Sequence, residues 1–272
     1  MGRIARSWML TRQSYRVLMM DKELLLLPVL SGLAMLVICG TFVAGIFLTG
    51  FDPERLDGWL AIPSLLFYIL SYTAAFFFQA ALIAGALQRM NGGDPTVASS
   101  LRAALHRFGS IVVWGVIAGT VGMILRSIQE RSALAGRIVA GLLGVGWSLA
   151  TWFLVPVIVM EDHALGASFR RSAALFRQTW GETLAGNAGV GLASFFVMLP
   201  IVGIGVGLGV VAHPLVGVAV AVPLLLLAMV FFAALQGVYV AALYRYATTG
   251  ESPEQFDDTL IQGAFQGGSG RR

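Results

Sequence analysis

From Glu182 to Arg245 the chain reads ETLAGNAGVGLASFFVMLPIVGIGVGLGVVAHPLVGVAVAVPLLLLAMVFFAALQGVYVAALYR, and between those ends the titratable side chains are His213, Tyr239 and Tyr244 alone. No water-soluble domain could bury so long a run, so it belongs in a bilayer. One crossing of an apolar core about 30 Å thick takes roughly 20 helical residues, so the run holds two crossings with length to spare. His213-Pro214 stands near its middle. The residue before a proline is steered out of helical geometry, which favours a hairpin turn there.

Working outward, further apolar windows with interfacial flanks fall at 24–49, 59–87, 110–125 and 138–160, and the quoted run divides into 183–212 and 214–244. Six spans follow, and the expected fold class is all-α, a polytopic transmembrane helical bundle. Composition agrees: 12% of residues are charged, against about a quarter in soluble domains, and the mean hydropathy is +0.82. The expected divisions are an N-terminal amphipathic helix at 1–23, the six-span domain at 24–246, and a tail at 247–272 with a short helix and a flexible end.

An even number of spans leaves both termini on one side. Of the 18 lysines and arginines, 14 fall on that side, and Arg55, Arg126, Arg131 and Arg137 fall on the other. The positive-inside rule therefore places both termini in the cytoplasm of a bacterial cytoplasmic membrane. The sequence pI of 9.6 expresses this bias, and nucleic acid is not an expected partner. Cys39 is the single cysteine, so no disulfide forms within the chain. Ile38 before it does not fit a lipoprotein site, and the first apolar stretch is too long for a cleaved signal, so this segment is expected to stay as an anchor.

Polar stretches before the first, third and fifth spans keep apolar residues at helical spacing between basic flanks. They are Ile4, Trp8, Tyr15 and Leu18; Val97, Leu101, Leu105 and Phe108; and Leu165, Phe169, Phe176 and Trp180. Each reads as an amphipathic helix lying in the membrane plane. Ser7, Ser100 and Ser168 align, each with an aromatic eight residues on, which suggests three units of in-plane helix plus hairpin. Asp94-Pro95 reads as the N-cap and first residue of the second in-plane helix.

The span centres carry no Asp, Glu, Lys, Arg or His, which argues against proton coupling, voltage sensing and acid/base chemistry in the bilayer. Gln79, Asn187 and Gln236 remain as candidates to line a polar cavity, with interhelical hydrogen bonding the commoner use. Gly115, Gly119 and Gly122 suit close helix packing. Pro200 with Gly203, Gly205, Gly207 and Gly209 marks either close packing or a hinge that unwinds beside a site. Glu161-Asp162-His163 is read as a helix end with an Asp cap rather than a metal site, and no cofactor is expected. Trp147, Trp152 and Pro156 suit a stacking platform or a bent helix. Arg126, Glu130, Arg131 and Arg137 cluster against the charge rule, as ion pairs, phosphate holders or a solvated loop. Arg102, Arg107, Arg170, Arg171 and Arg177 are the candidates for lipid headgroup or partner contact, since each cation near an anionic leaflet contributes about 1 kcal/mol.

Asp21-Lys22-Glu23-Leu24 running into Pro28, Gly92-Gly93-Asp94-Pro95, and Trp147 to Trp152 to Pro156 to Glu161 followed by Ser168-Phe169-Arg170-Arg171-Ser172 together resemble a prokaryotic family of six-helix membrane proteins of unknown function. More distantly, the last of these is similar to the membrane domain attached to some glycerophosphodiester phosphodiesterases. That group carries its catalysis in a separate soluble barrel, which has no counterpart in this chain. The resemblance therefore implies a membrane module without catalysis and supplies no site residues. The expected function is a non-enzymatic, lipid-contacting scaffold or the membrane partner of another protein, with a homo-oligomer also open. The alternative is a small uncoupled permease or flippase for an apolar or neutral substrate.

Overall fold

The architecture comes from a computed structural model, which describes residues 12, 14–48, 61–131 and 134–249. Among them there is no strand. Residues 14–20 are helical, and a 3-10 turn follows at Lys22–Leu25. Then come α1 (Leu26–Leu48), α2 (Ala61–Met90), α3 (Val97–His106), α4 (Phe108–Arg131), α5 (Leu134–Ala150), α6 (Leu154–Met160), α7 (Leu165–Val211) and α8 (Pro214–Thr249). Among the described residues, six segments are long and apolar enough to cross a membrane: Lys22–Leu48, Ile62–Met90, Phe108–Glu130, Gly136–Met160, Gly189–Val211 and Pro214–Thr249. The chain is a multi-pass, all-α membrane protein. The expected N-terminal residues 1–11 and the tail from 250 onward lie outside the described residues.

The chain forms two compact units. The first comprises Met1–Pro28, Gly85–Val97 and Arg177–Arg272. Here the quoted run folds back as expected: His213 Nδ1 accepts the Leu215 N–H at 3.2 Å, and Pro214 opens α8. A side-chain acceptor followed by proline at the first helical position is a good helix start. The two helices of this hairpin then close on glycine. A Cβ added at Gly217 would lie 2.2 Å from the Gly205 carbonyl oxygen, and one at Gly205 would lie 2.5 Å from the Ala221 Cβ. Gly203 and Gly207 have nothing within 4 Å. Alternate glycines thus divide between a packed face and an open one, and α7 stays helical through Pro200 to Val211 without unwinding.

Residues 214–233 of α8 are mostly exposed, whereas 234–244 are almost all buried. A helical segment that is apolar all round is stable only when surrounded. Helix α8 packs against the Lys22–Leu25 turn, where Leu24 is fully buried. Tyr15 and Phe231 meet with ring centroids 6.0 Å apart.

The second unit comprises Val29–Ala84 and Ala98–Phe176. Its α2 and α4 approach at backbone distance. A Cβ at Gly115 would meet Thr73 Oγ1 at 2.1 Å, one at Gly119 the Ile69 nitrogen at 3.1 Å, and one at Gly122 the Tyr72 hydroxyl at 3.1 Å. Small residues admit such approach between transmembrane helices. Trp147 stacks on Trp114 at 5.4 Å and meets Phe169 at 5.9 Å.

The fourth span is broken rather than bent. Helix α5 stops at Ala150 and α6 starts at Leu154. Pro156 cannot donate to the Trp152 carbonyl, and its ring crowds that group. Ser172 repairs the gap: its hydroxyl accepts the Phe153 N–H at 3.1 Å and donates to the Ala150 carbonyl at 2.8 Å.

The amphipathic stretches join their spans differently from one another. Arg107 alone separates α3 from α4. The third stretch does not end before the fifth span, because α7 runs 47 residues without interruption. Between Arg177 and Gly189 there is no proline, and a glycine such as Gly181 costs a helix only about 1 kcal/mol. Ser100 and Ser168 are each the fourth residue of their helix, and both are buried, which keeps two members of the series in register. The first member, Ser7, lies outside the described residues.

Candidate functional site

In the first unit, the end of α2 is stopped by a left-handed glycine, Gly92 at φ +81°. Gly92 N–H bonds the Arg89 carbonyl and Gly93 N–H bonds the Gln88 carbonyl, both at 3.0 Å. This pair of bonds satisfies carbonyls that a helix end leaves orphaned. Arg245 donates to the neighbouring Met90 carbonyl. Arg89 then turns back onto Asp21 at 2.8 Å and Asp94 at 3.4 Å. Asp21 is buried, and that burial raises its carboxyl above the ordinary carboxylate value, with Arg89 offsetting part of the rise.

Asp94 does not cap α3, and Pro95 is not its first residue. The helix begins at Val97, whose N–H is accepted by Glu23 at 3.1 Å from 74 residues earlier in the chain. Asp94 faces Arg89 instead. The Asp21-to-Leu24 and Gly92-to-Pro95 motifs therefore form a single interlocked knot.

In the second unit, the α6–α7 connection gathers another charged group. Glu161 Oε1 lies 3.3 Å from Arg171, and Glu161 Oε2 lies 3.0 Å from His163. Asp162 pairs with Arg107 at 2.5 Å, so it is not the cap expected for the following helix. Among the described residues no cluster of three His, Cys, Asp or Glu side chains could hold a metal ion. Arg102 and Arg170 are exposed with no acidic partner among the described residues. Helix α3 buries Ser100 and Ala104 and leaves Leu105 57% exposed, so Arg102 shares its short helix with an open apolar side chain, and Phe108, the first residue of α4, is 47% exposed. Arg177 is also exposed and belongs to the first unit.

Gln79 and Gln236 are half-buried, and the Asn187 side chain lies outside the described ones. An open groove of about 400 Å³ in the second unit is lined by residues including Tyr72, Gly122, Leu125, Gly141, Gly144 and Trp147, and not by Gln79 or Gln236. Near one end of the same helices, Arg126 binds Glu130 at 2.6 Å and the Tyr68 hydroxyl at 2.7 Å. Arg137 is exposed, and the Arg131 side chain lies outside the described ones.

Sequence spacing did not single out Asp21, Glu23, Arg89 or Ser172 as partners, although Asp21, Glu23 and Ser172 stand in the motifs that carry the family resemblance. No curated protein and no solved structure matches the chain. The sequence pattern of DUF6159, a family of unknown function, matches residues 59–254. That range takes in the glycine loop after α2, the broken fourth span and the charged connection after it, and the chain belongs to this family.

Proposed function

We propose that the protein is a non-enzymatic, lipid-contacting scaffold of the bacterial cytoplasmic membrane, with both termini in the cytoplasm. It engages anionic lipid headgroups, or an acidic membrane partner, through the basic residues of α3 and of the start of α7. The observation that supports this reading is the contrast within one unit between paired and unpaired arginines. Arg107 and Arg171 have Asp162 and Glu161, whereas Arg102 and Arg170 are exposed with no such partner among the described residues. The local acids are already engaged, so the surplus charge is available to an external anion. Exposed Leu105, one turn from Arg102, suits a helix that rests at the interface.

The glycine contacts within each unit also favour scaffolding over passage of a neutral substrate. They close the helices where a pathway would need room.

Thermal unfolding in nanodiscs tests the reading. Replacing zwitterionic lipid by phosphatidylglycerol is expected to raise the unfolding temperature of the wild type, because a ligand that binds the folded state stabilises it. The Arg102→Gln/Arg170→Gln variant is expected to lose most of that increment while unfolding normally in zwitterionic discs. An unchanged increment would rule the reading out.

A further inference from the structure

We infer a binding site for one anionic phospholipid at the end of the second unit where α4 leads into α5, its acyl chain lying in the groove and its phosphate held by Arg137 and Arg126. Three helical stripes converge on that end. On α4, Ala118 and Gly122 line the groove, and Arg126 follows at the next four-residue step. On α5, Gly141 and Val145 line it, and Arg137 precedes them by the same step. On α2, Tyr72 lines it and Tyr68, one turn earlier, holds Arg126. Residues four apart lie on one helix face, so the floor of the groove continues into the two cations.

Charge at this end is not balanced. Glu130 neutralises Arg126 through Nε, and Tyr68 takes one N–H of Nη1. Both N–H groups of Nη2 remain for another acceptor, and a guanidinium matches phosphate oxygens in geometry. Arg137 is exposed with no partner among the described residues. These arginines also sit where the positive-inside rule disfavours cations. The groove is mainly apolar, and its volume of about 400 Å³ lies at the small end of ligand pockets, roughly 300–1,000 Å³. It takes one hydrocarbon tail rather than several. The occupant is therefore a lipid with a phosphate head and a net negative charge, independent of the basic face around Arg102 and Arg170.

Native mass spectrometry of the full-length protein, delipidated in detergent and titrated with phosphatidylglycerol or phosphatidylcholine, tests the site. One phosphatidylglycerol is expected to be retained in preference to phosphatidylcholine. Arg137→Gln, at an exposed position, is expected to weaken retention about fivefold. At Gly141 an added Cβ meets nothing within 4 Å, so Gly141→Phe is expected to fill the groove and remove the adduct with little change in unfolding temperature. Equal retention of both lipids, or retention by Arg137→Gln at the wild-type level, would overturn the site as an annular lipid only. Displacement of the phosphatidylglycerol by inorganic phosphate at equal concentration would also overturn it, by showing that the acyl chain adds nothing to binding.

Discussion

Ser172 shows how much one hydroxyl does here. The broken fourth span leaves a free N–H at Phe153 and a free carbonyl at Ala150, and within an apolar bundle neither has water to turn to. Ser172→Ala orphans both groups, and its expected cost is about 1–3 kcal/mol, the penalty for a buried polar group left without a partner. Ser172→Thr keeps the oxygen and is expected to retain most of the stability. Equilibrium unfolding in a fixed detergent checks both variants, and equal stability of Ser172→Ala and wild type would show that the hydroxyl does not hold the break together. The sequence marked Pro156 as a source of bending but not Ser172 as the partner of the groups freed at the 151–153 break. Proline acts on its own helix, whereas the partner of a freed carbonyl depends on which helix packs alongside. Glu23 and Val97 were hidden for the same reason, because a cap supplied from 74 residues away leaves no local spacing to detect.

Among the elements, the α7–α8 hairpin was readable in its main features. A long uncharged run with a pre-proline histidine near its middle has few other ways to fold in lipid, and the turn falls at His213-Pro214. The role of each glycine was not readable, since alternating Gly203, Gly205, Gly207 and Gly209 fit packing and unwinding equally well. The structure separates them by what each meets. Gly217→Leu, placed against the Gly205 carbonyl and the Gly209 backbone, is expected to push the helices apart and destabilise by about 3 kcal/mol, the upper end of what overpacking with backbone shifts typically costs. Gly203→Leu, with nothing within 4 Å, is expected to be neutral or slightly stabilising, because leucine is the better helix former. Paired melting curves decide the matter, and similar losses from the two substitutions would contradict the assigned faces. The merging of the third amphipathic stretch into α7 has an equally local cause. Without a proline between the stretch and the span, nothing in the chain forces the helix to end.

Across the whole molecule, the six spans were readable because burial in lipid imposes long apolar windows on the sequence itself. The charged knots were only half readable. Their residues stood out as motifs, yet the pairing of Asp21 with Arg89 and of Arg107 with Asp162 required the fold. With Arg107 and Arg171 engaged by Asp162 and Glu161, Arg102 and Arg170 are exposed without an acidic partner among the described residues. The central claim is that this surplus charge contacts anionic lipid or an acidic partner at the membrane surface. It is tested most directly by gentle purification of the full-length protein from native membranes, followed by identification of everything that stays bound. The expected result is anionic phospholipid enriched over the bulk membrane, with that enrichment reduced in Arg102→Gln/Arg170→Gln. A lipid-poor monomer free of protein partners, with wild type and variant alike, would contradict it.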